Sequence, residues 1–139
     1  MSYARAVVAK LALKYGTRCP YELADHLYIE VYEYPFRKIR GLVIHIDGRV
    51  ILGVKSDLPA YEKRAIVAHE LGHHELHPSE VGHFFIREHT FMVPGRYERE
   101  ADLFAAALLL DRLPEEGETV MEYSGRAGVP ERIVKAMWG

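Results

Sequence analysis

The stretch Pro59–Pro78, PAYEKRAIVAHELGHHELHP, decides how this chain is read. Proline suits the first turn of a helix, where its missing amide hydrogen is not needed, and it prevents a helix from continuing. Pro59 and Pro78 therefore bracket a single helix that runs to about His77. Its last eleven residues, Ala68 to Pro78, hold four histidines and two glutamates. The reading turns on which of these side chains face one another.

Within that cluster, His69 to His73 reads HELGH and matches H-E-x-x-H. At about 100° per residue, His69 and His73 stand about 40° apart on one face and one turn from each other. Both imidazoles then reach one zinc ion at bonds of about 2.0–2.1 Å. Glu70 lies about 60° further round, close enough to act as general base on a water beside the metal without being a ligand. His73 and His77 are also four apart, but that pair has no glutamate after its first histidine. His69 and His77 are about 12 Å apart along the axis, too far to share an ion. His74 and Glu75 fall away from the His69/His73 face and are expected to meet solvent. His77 reads as a helix-end residue favoured by the helix dipole.

A catalytic zinc needs a third protein ligand and an open position. YEREADLFAAALLL, from Tyr97 to Leu110, offers Glu98 and Glu100. Glu98, Ala101, Asp102 and Ala105 follow i, i+3, i+4, i+7 spacing. They form a face of small residues that lets this helix come close to the first. Asp102, one turn beyond Glu98, is placed to accept the outward N–H of a ligating histidine. Phe104, one turn beyond Glu100, gives no such support. The spacing favours Glu98 as ligand with Asp102 behind it, and Glu100 stands as the alternative. Taken alone, these acids would read as the dipole-favoured start of a helix. With the upstream histidines they complete a site for one zinc ion, although the same donors also bind manganese, cobalt or nickel.

Working outward, Ala4, Val7, Val8 and Leu11 repeat at helical spacing, with Gly16 as a stop, and PYELADHL reads as a short second helix. YIEVYEY alternates as a strand. LVIHI and VILGV flank Asp47-Gly48-Arg49, a hairpin signal, and His45 within it reads as an ordinary strand residue. Residues 79–96 read as a long loop or short excursion. A strongly apolar helix is expected from about Tyr97 to Leu113, ended by Pro114, and then one or two short packing helices. The fold class is α+β: one domain over residues 1–139, a small sheet packed against about five helices, with the H-E-x-x-H motif on a central helix.

Composition agrees. The 139 residues are 49% hydrophobic, enough for a real core, and the net charge of −2 gives no basic surface of the kind direct nucleic-acid binding uses. FRKIR at Phe36–Arg40 reads as a solvated strand edge. Cys19 is the only cysteine and reads as a small buried apolar residue. The N-terminal stretch lacks a signal-peptide core and cleavage site, and no apolar run reaches the ~18 residues of a membrane span. A cytoplasmic setting is expected.

AHELGH, LHP and YEREADLFAAALLL together resemble the ImmA/IrrE family of zinc metallopeptidases, whose pattern is H-E-x-x-H with a downstream E-x-x-A-[ND]-x-F-A helix. The resemblance is most specific from about Val67 to Leu110. It implies a zincin-like fold, with His69, His73 and Glu98 as zinc ligands and Glu70 as general base. It also implies a protein substrate, a helix-turn-helix repressor that the peptidase would cut. One departure is LLLDRLP, where many relatives have a proline sooner; this concerns the helix exit. His83, His89 and Tyr97 are near enough in sequence to be weighed as oxyanion donors, and none is chosen. A regulatory module that keeps its metal and antagonises a repressor by association is the competing reading, and a metal-free interaction domain with a chance motif is a third. The intact Glu70 favours the enzyme, because a structural zinc needs no base and prefers four protein ligands.

Overall fold

The computed structural model describes residues 2–78, 85–86 and 95–138. Helix α1 (Tyr3–Tyr15) is capped by Ser2, whose side chain accepts from the Arg5 amide, and it closes on Gly16. Helix α2 (Pro20–His26) begins on its proline. Three strands follow: β1 (Ile29–Tyr34), β2 (Gly41–Ile46) and β3 (Arg49–Lys55). Asp47 and Gly48 both have positive φ, 49° and 74°. This is the primed two-residue turn that Asp-Gly favours, and it sets the β2–β3 register at Ile46 opposite Arg49. β1 pairs with β3 in parallel.

Helix α3 (Ala60–Leu76) then crosses the sheet, with Pro59 as its N-cap residue. Nine consecutive residues, Ala65 to His73, are buried. A helix buried on every side over more than two turns is an interior element, walled here by the sheet, α2 and α4. The H-E-x-x-H motif thus lies on a central helix, as the sequence implies.

Strand β4 (Phe85–Ile86) pairs antiparallel with Val43 and Leu42, completing the order β1-β3-β2-β4. It falls in the stretch read as loop or excursion, where two residues of pairing leave too little alternation to detect. His83, His89 and Pro94 lie outside the described residues.

Helix α4 (Arg96–Leu109) stops four residues before the expected Leu113. The unbroken apolar run ends at Leu110, Asp111 and Arg112 follow, and Leu113 beyond them is 80% exposed and has no core to face. Leu110 leaves the helical region, and the Arg112 carbonyl accepts from the Tyr123 hydroxyl instead of from a further turn. Arg18 donates to the Ala107 carbonyl at 2.8 Å, satisfying one acceptor of α4's last turn. Helices α5 (Val120–Ala127), with a capping box of Thr119 and Glu122, and α6 (Glu131–Ala136) complete the fold. The described residues hold six helices, one more than expected. The architecture is α+β and zincin-like.

Candidate metal centre

The site lies where α3 meets α4. Gly72, inside the motif, explains how close they come: a Cβ built there would stand 3.0 Å from Phe104 Cβ and 3.2 Å from Ala101 Cα. Any side chain on that face would hold α4 away. The small-residue face of α4 therefore has its counterpart in a glycine of α3, which H-E-x-x-H leaves as one of its two unspecified positions. On the other side, Gly41 of β2 lets Ile66 and Glu70 lie directly on the sheet, with Glu70 Cγ 3.4 Å from where a Cβ would stand.

His69, Glu70 and His73 are 1%, 0% and 0% exposed, and His77 is 4% exposed. His69 Nε2 and His73 Nε2 are 3.1 Å apart. The Glu98 carboxylate meets both, with Oε2 3.1 Å from His69 Nε2 and Oε1 2.8 Å from His73 Nε2. Among the described residues, these three form the cluster whose donor atoms lie together at metal-ligand separations.

Hydrogen-bond chemistry adds to that geometry. Asp102 Oδ1 lies 2.8 Å from His69 Nδ1, and a carboxylate only accepts, so this nitrogen carries the proton. In a neutral ring Nε2 is then a lone pair, turned toward another nitrogen and a carboxylate. Bases gathered at about 3 Å need a shared cation, either a proton or a metal. A tetrahedral ion with bonds of about 2.0–2.1 Å would set its ligands about 3.3–3.4 Å apart. The observed separations need open by only a few tenths of an ångström. Two imidazoles and one carboxylate, with an acid behind one ring, therefore fit a divalent metal of the zinc type.

Burial alone would raise the Glu98 carboxyl. The hydrogen bonds and charge of His69 and His73 outweigh it and hold Glu98 well below the usual carboxylate range. This leaves the carboxylate ionised, the state in which it ligates a cation.

The expectations for the rest of the cluster are corrected. His74 and Glu75 do not stand free in solvent: both are largely covered and lie 2.9 Å apart, with the His45 ring 5.6 Å from that of His74. Strand β2 shields that face of α3. His77 is not merely a helix-end cation. Its Nδ1 lies 3.2 Å from His73 Nδ1, and its Nε2 lies 2.8 Å from Glu100 Oε1. Glu100, the alternative ligand, is thus engaged with His77 and stands apart from the three-donor cluster. Helical spacing does carry the His73–His77 contact, but the choice of Glu100 as partner depends on the seating of α4. Tyr97 packs its ring 4.5 Å from the His77 ring.

Residues 24–118 match the model of a peptidase family described as IrrE N-terminal-like domain. The chain is also 36% identical over 107 residues to immunity region protein 2 of Bacillus phage phi105, itself described as uncharacterized; the alignment covers 76% of this chain and 67% of that protein. The matched segment contains α3 and α4 entire. Among the described residues, no helix is long and apolar enough to cross a membrane.

Proposed function

Since this chain belongs to the ImmA/IrrE family of metallopeptidase-type proteins, we propose that it is a zinc-dependent endopeptidase acting on a protein substrate. The observation that carries this reading is the convergence of His69 Nε2, His73 Nε2 and the Glu98 carboxylate beside a fully buried Glu70. In it, His69, His73 and Glu98 hold one zinc ion, and Asp102 orients His69 through the Nδ1–H hydrogen bond. When bound, the ion supplies a Lewis acid that polarises a peptide carbonyl and acidifies water.

The proton traffic falls to Glu70. It takes a proton from the attacking water and returns it to the leaving amide nitrogen as the C–N bond breaks. Its place on α3 suits this, next in sequence to His69 and about 60° round from His73. Burial on the sheet against Gly41 limits its freedom, so the carboxylate is already positioned.

The substrate we infer is a helix-turn-helix repressor in the cytoplasm, cut to relieve repression. Support comes from the resemblance and from the immunity-region name of the phage relative. Association without cutting is the second reading, and Glu70 argues against it, because a purely regulatory site has no use for a buried base.

Purified protein is to be assayed for metal content and incubated with the repressor encoded by a neighbouring gene, with and without chelator. Chelator-sensitive cleavage is expected, and Glu70→Gln should retain the metal and cut nothing. Cleavage by that variant at the wild-type rate would sink the assignment of the base. An intact repressor in a stable complex would favour the association reading.

A further inference from the structure

We propose that His77 and Glu100 form a positioning relay that fixes the ring and tautomer of His73, as Asp102 does for His69. The proposal rests on the metal-site reading above and extends it to two residues outside the ligand set.

The order of hydrogen bonds follows from the acid at the far end. Glu100 lies 2.8 Å from His77 Nε2, and a carboxylate accepts, so His77 carries its proton there. In a neutral ring, Nδ1 of His77 is then an acceptor. The atom facing it at 3.2 Å is His73 Nδ1, which must donate. With its proton on Nδ1, His73 presents a lone pair at Nε2, directed at His69 Nε2 and Glu98. The chain of donors thus runs from His73 through His77 to Glu100, ending on a carboxylate.

His77 itself is no ligand in this arrangement. Its nitrogens face the outer edge of His73 and Glu100, while the converging donors are the Nε2 atoms and Glu98. Its burial argues against a simple dipole role, which a solvated cation would fill as well. Tyr97 lies against its ring, and Arg96 Nε stands 3.6 Å from Glu100 Oε2, so the far end of the relay is itself held. Partners of this type raise ligand basicity, and their loss typically weakens metal binding about 10–100-fold.

The test measures zinc affinity by competition with a chromophoric chelator and the absorption spectrum of the cobalt-substituted protein. Wild type is compared with His77→Phe, Glu100→Ala, Glu100→Gln and His69→Ala. His77→Phe should bind zinc about 10–100-fold more weakly with an altered cobalt spectrum. Glu100→Ala should shift both readouts in the same direction, and Glu100→Gln, whose amide oxygen still accepts from His77, should recover most of the loss. Glu100 is partly exposed, so its variants report even if His77→Phe fails to fold. Zinc affinity within twofold of wild type for both Glu100→Ala and any folded His77→Phe would overturn the relay. So would a loss in Glu100→Ala that Glu100→Gln leaves unrepaired. If His69→Ala binds as tightly as wild type, the metal reading itself fails, a result distinct from failure of the relay alone.

Discussion

Gly72→Ala probes the contact that assembles the site. The added methyl would stand 3.0 Å from Phe104 Cβ, 3.1 Å from Phe104 Cγ and 3.2 Å from Ala101 Cα. Carbon atoms rest at about 3.5–4.0 Å, so the shortfall is roughly 0.3–1.0 Å. Neither Ala101 Cα nor Phe104 Cβ escapes by a side-chain rotation; α4 must move. Overpacking of this kind costs about 1–3 kcal/mol, and replacing a mid-helix glycine by alanine returns up to ~1 kcal/mol. The net destabilisation is therefore between about zero and 3 kcal/mol, which makes stability a blunt readout. Metal affinity is sharper, because α4 carries Glu98 and Asp102 while α3 carries the histidines, and sites tolerate only about 0.5 Å of misplacement. We expect at least about tenfold weaker zinc binding in a competition assay, with a modest drop in the urea midpoint of the metal-free protein. Gly125→Ala is the control: it sits within α5 with open space around its Cβ, so only the propensity gain applies. If Gly72→Ala stabilises the protein as Gly125→Ala does and binds zinc like wild type, the close-approach argument is refuted.

Asp102→Ala removes the acceptor of the His69 Nδ1–H bond and should weaken zinc binding about 10–100-fold; calorimetric titration checks it, and unchanged affinity would remove Asp102 from the site. Removing metal should lower the thermal midpoint, since a ligand at 100 times its Kd stabilises the folded state by about 2.7 kcal/mol, and re-added zinc should restore it in scanning calorimetry. Beside α5, the Arg126 hydrogen bonds hold the Glu118 carboxyl down at about 2. A folded pKa below the unfolded value stabilises above the latter, ~4.3, and loses its contribution as pH falls through about 2. The melting difference between wild type and Glu118→Gln should accordingly be present at pH 6 and shrink steadily between pH 5 and pH 2; a difference that grows on acidification contradicts the ion pair.

Much of this was legible because two periodicities carry it. The i, i+4 spacing of His69 and His73 and that of Glu98 and Asp102 are properties of single helices, and Asp47-Gly48 announces its own turn. What depended on contacts between elements was less accessible. The shielding of His74 comes from β2, and the engagement of Glu100 comes from the way α4 lies across the end of α3. The early stop of α4 is marked in LLLDRLP only by Asp111 and Arg112, charges that a helix end also tolerates; Leu113 is as apolar as Leu108 and Leu110 but is 80% exposed, with nothing to pack on. β4 is too short to impose a pattern.

The acids at the start of α4 show how a local preference and a site can coincide. A helix N-terminus favours negative charge within its first turn, which in α4 holds Glu98 but neither Glu100 nor Asp102. The fold gives all three a partner. Glu98 meets His69 and His73, Asp102 meets His69 Nδ1, and Glu100 meets His77. Three carboxylates within five residues thus meet three histidines spaced along two turns of α3. The two carboxylates outside the donor cluster meet nitrogens other than the converging Nε2 pair. That division of partners is not something a dipole produces. It follows from two helices pressed together at Gly72, and it leaves His69 Nε2, His73 Nε2 and Glu98 as the donors turned toward a common point.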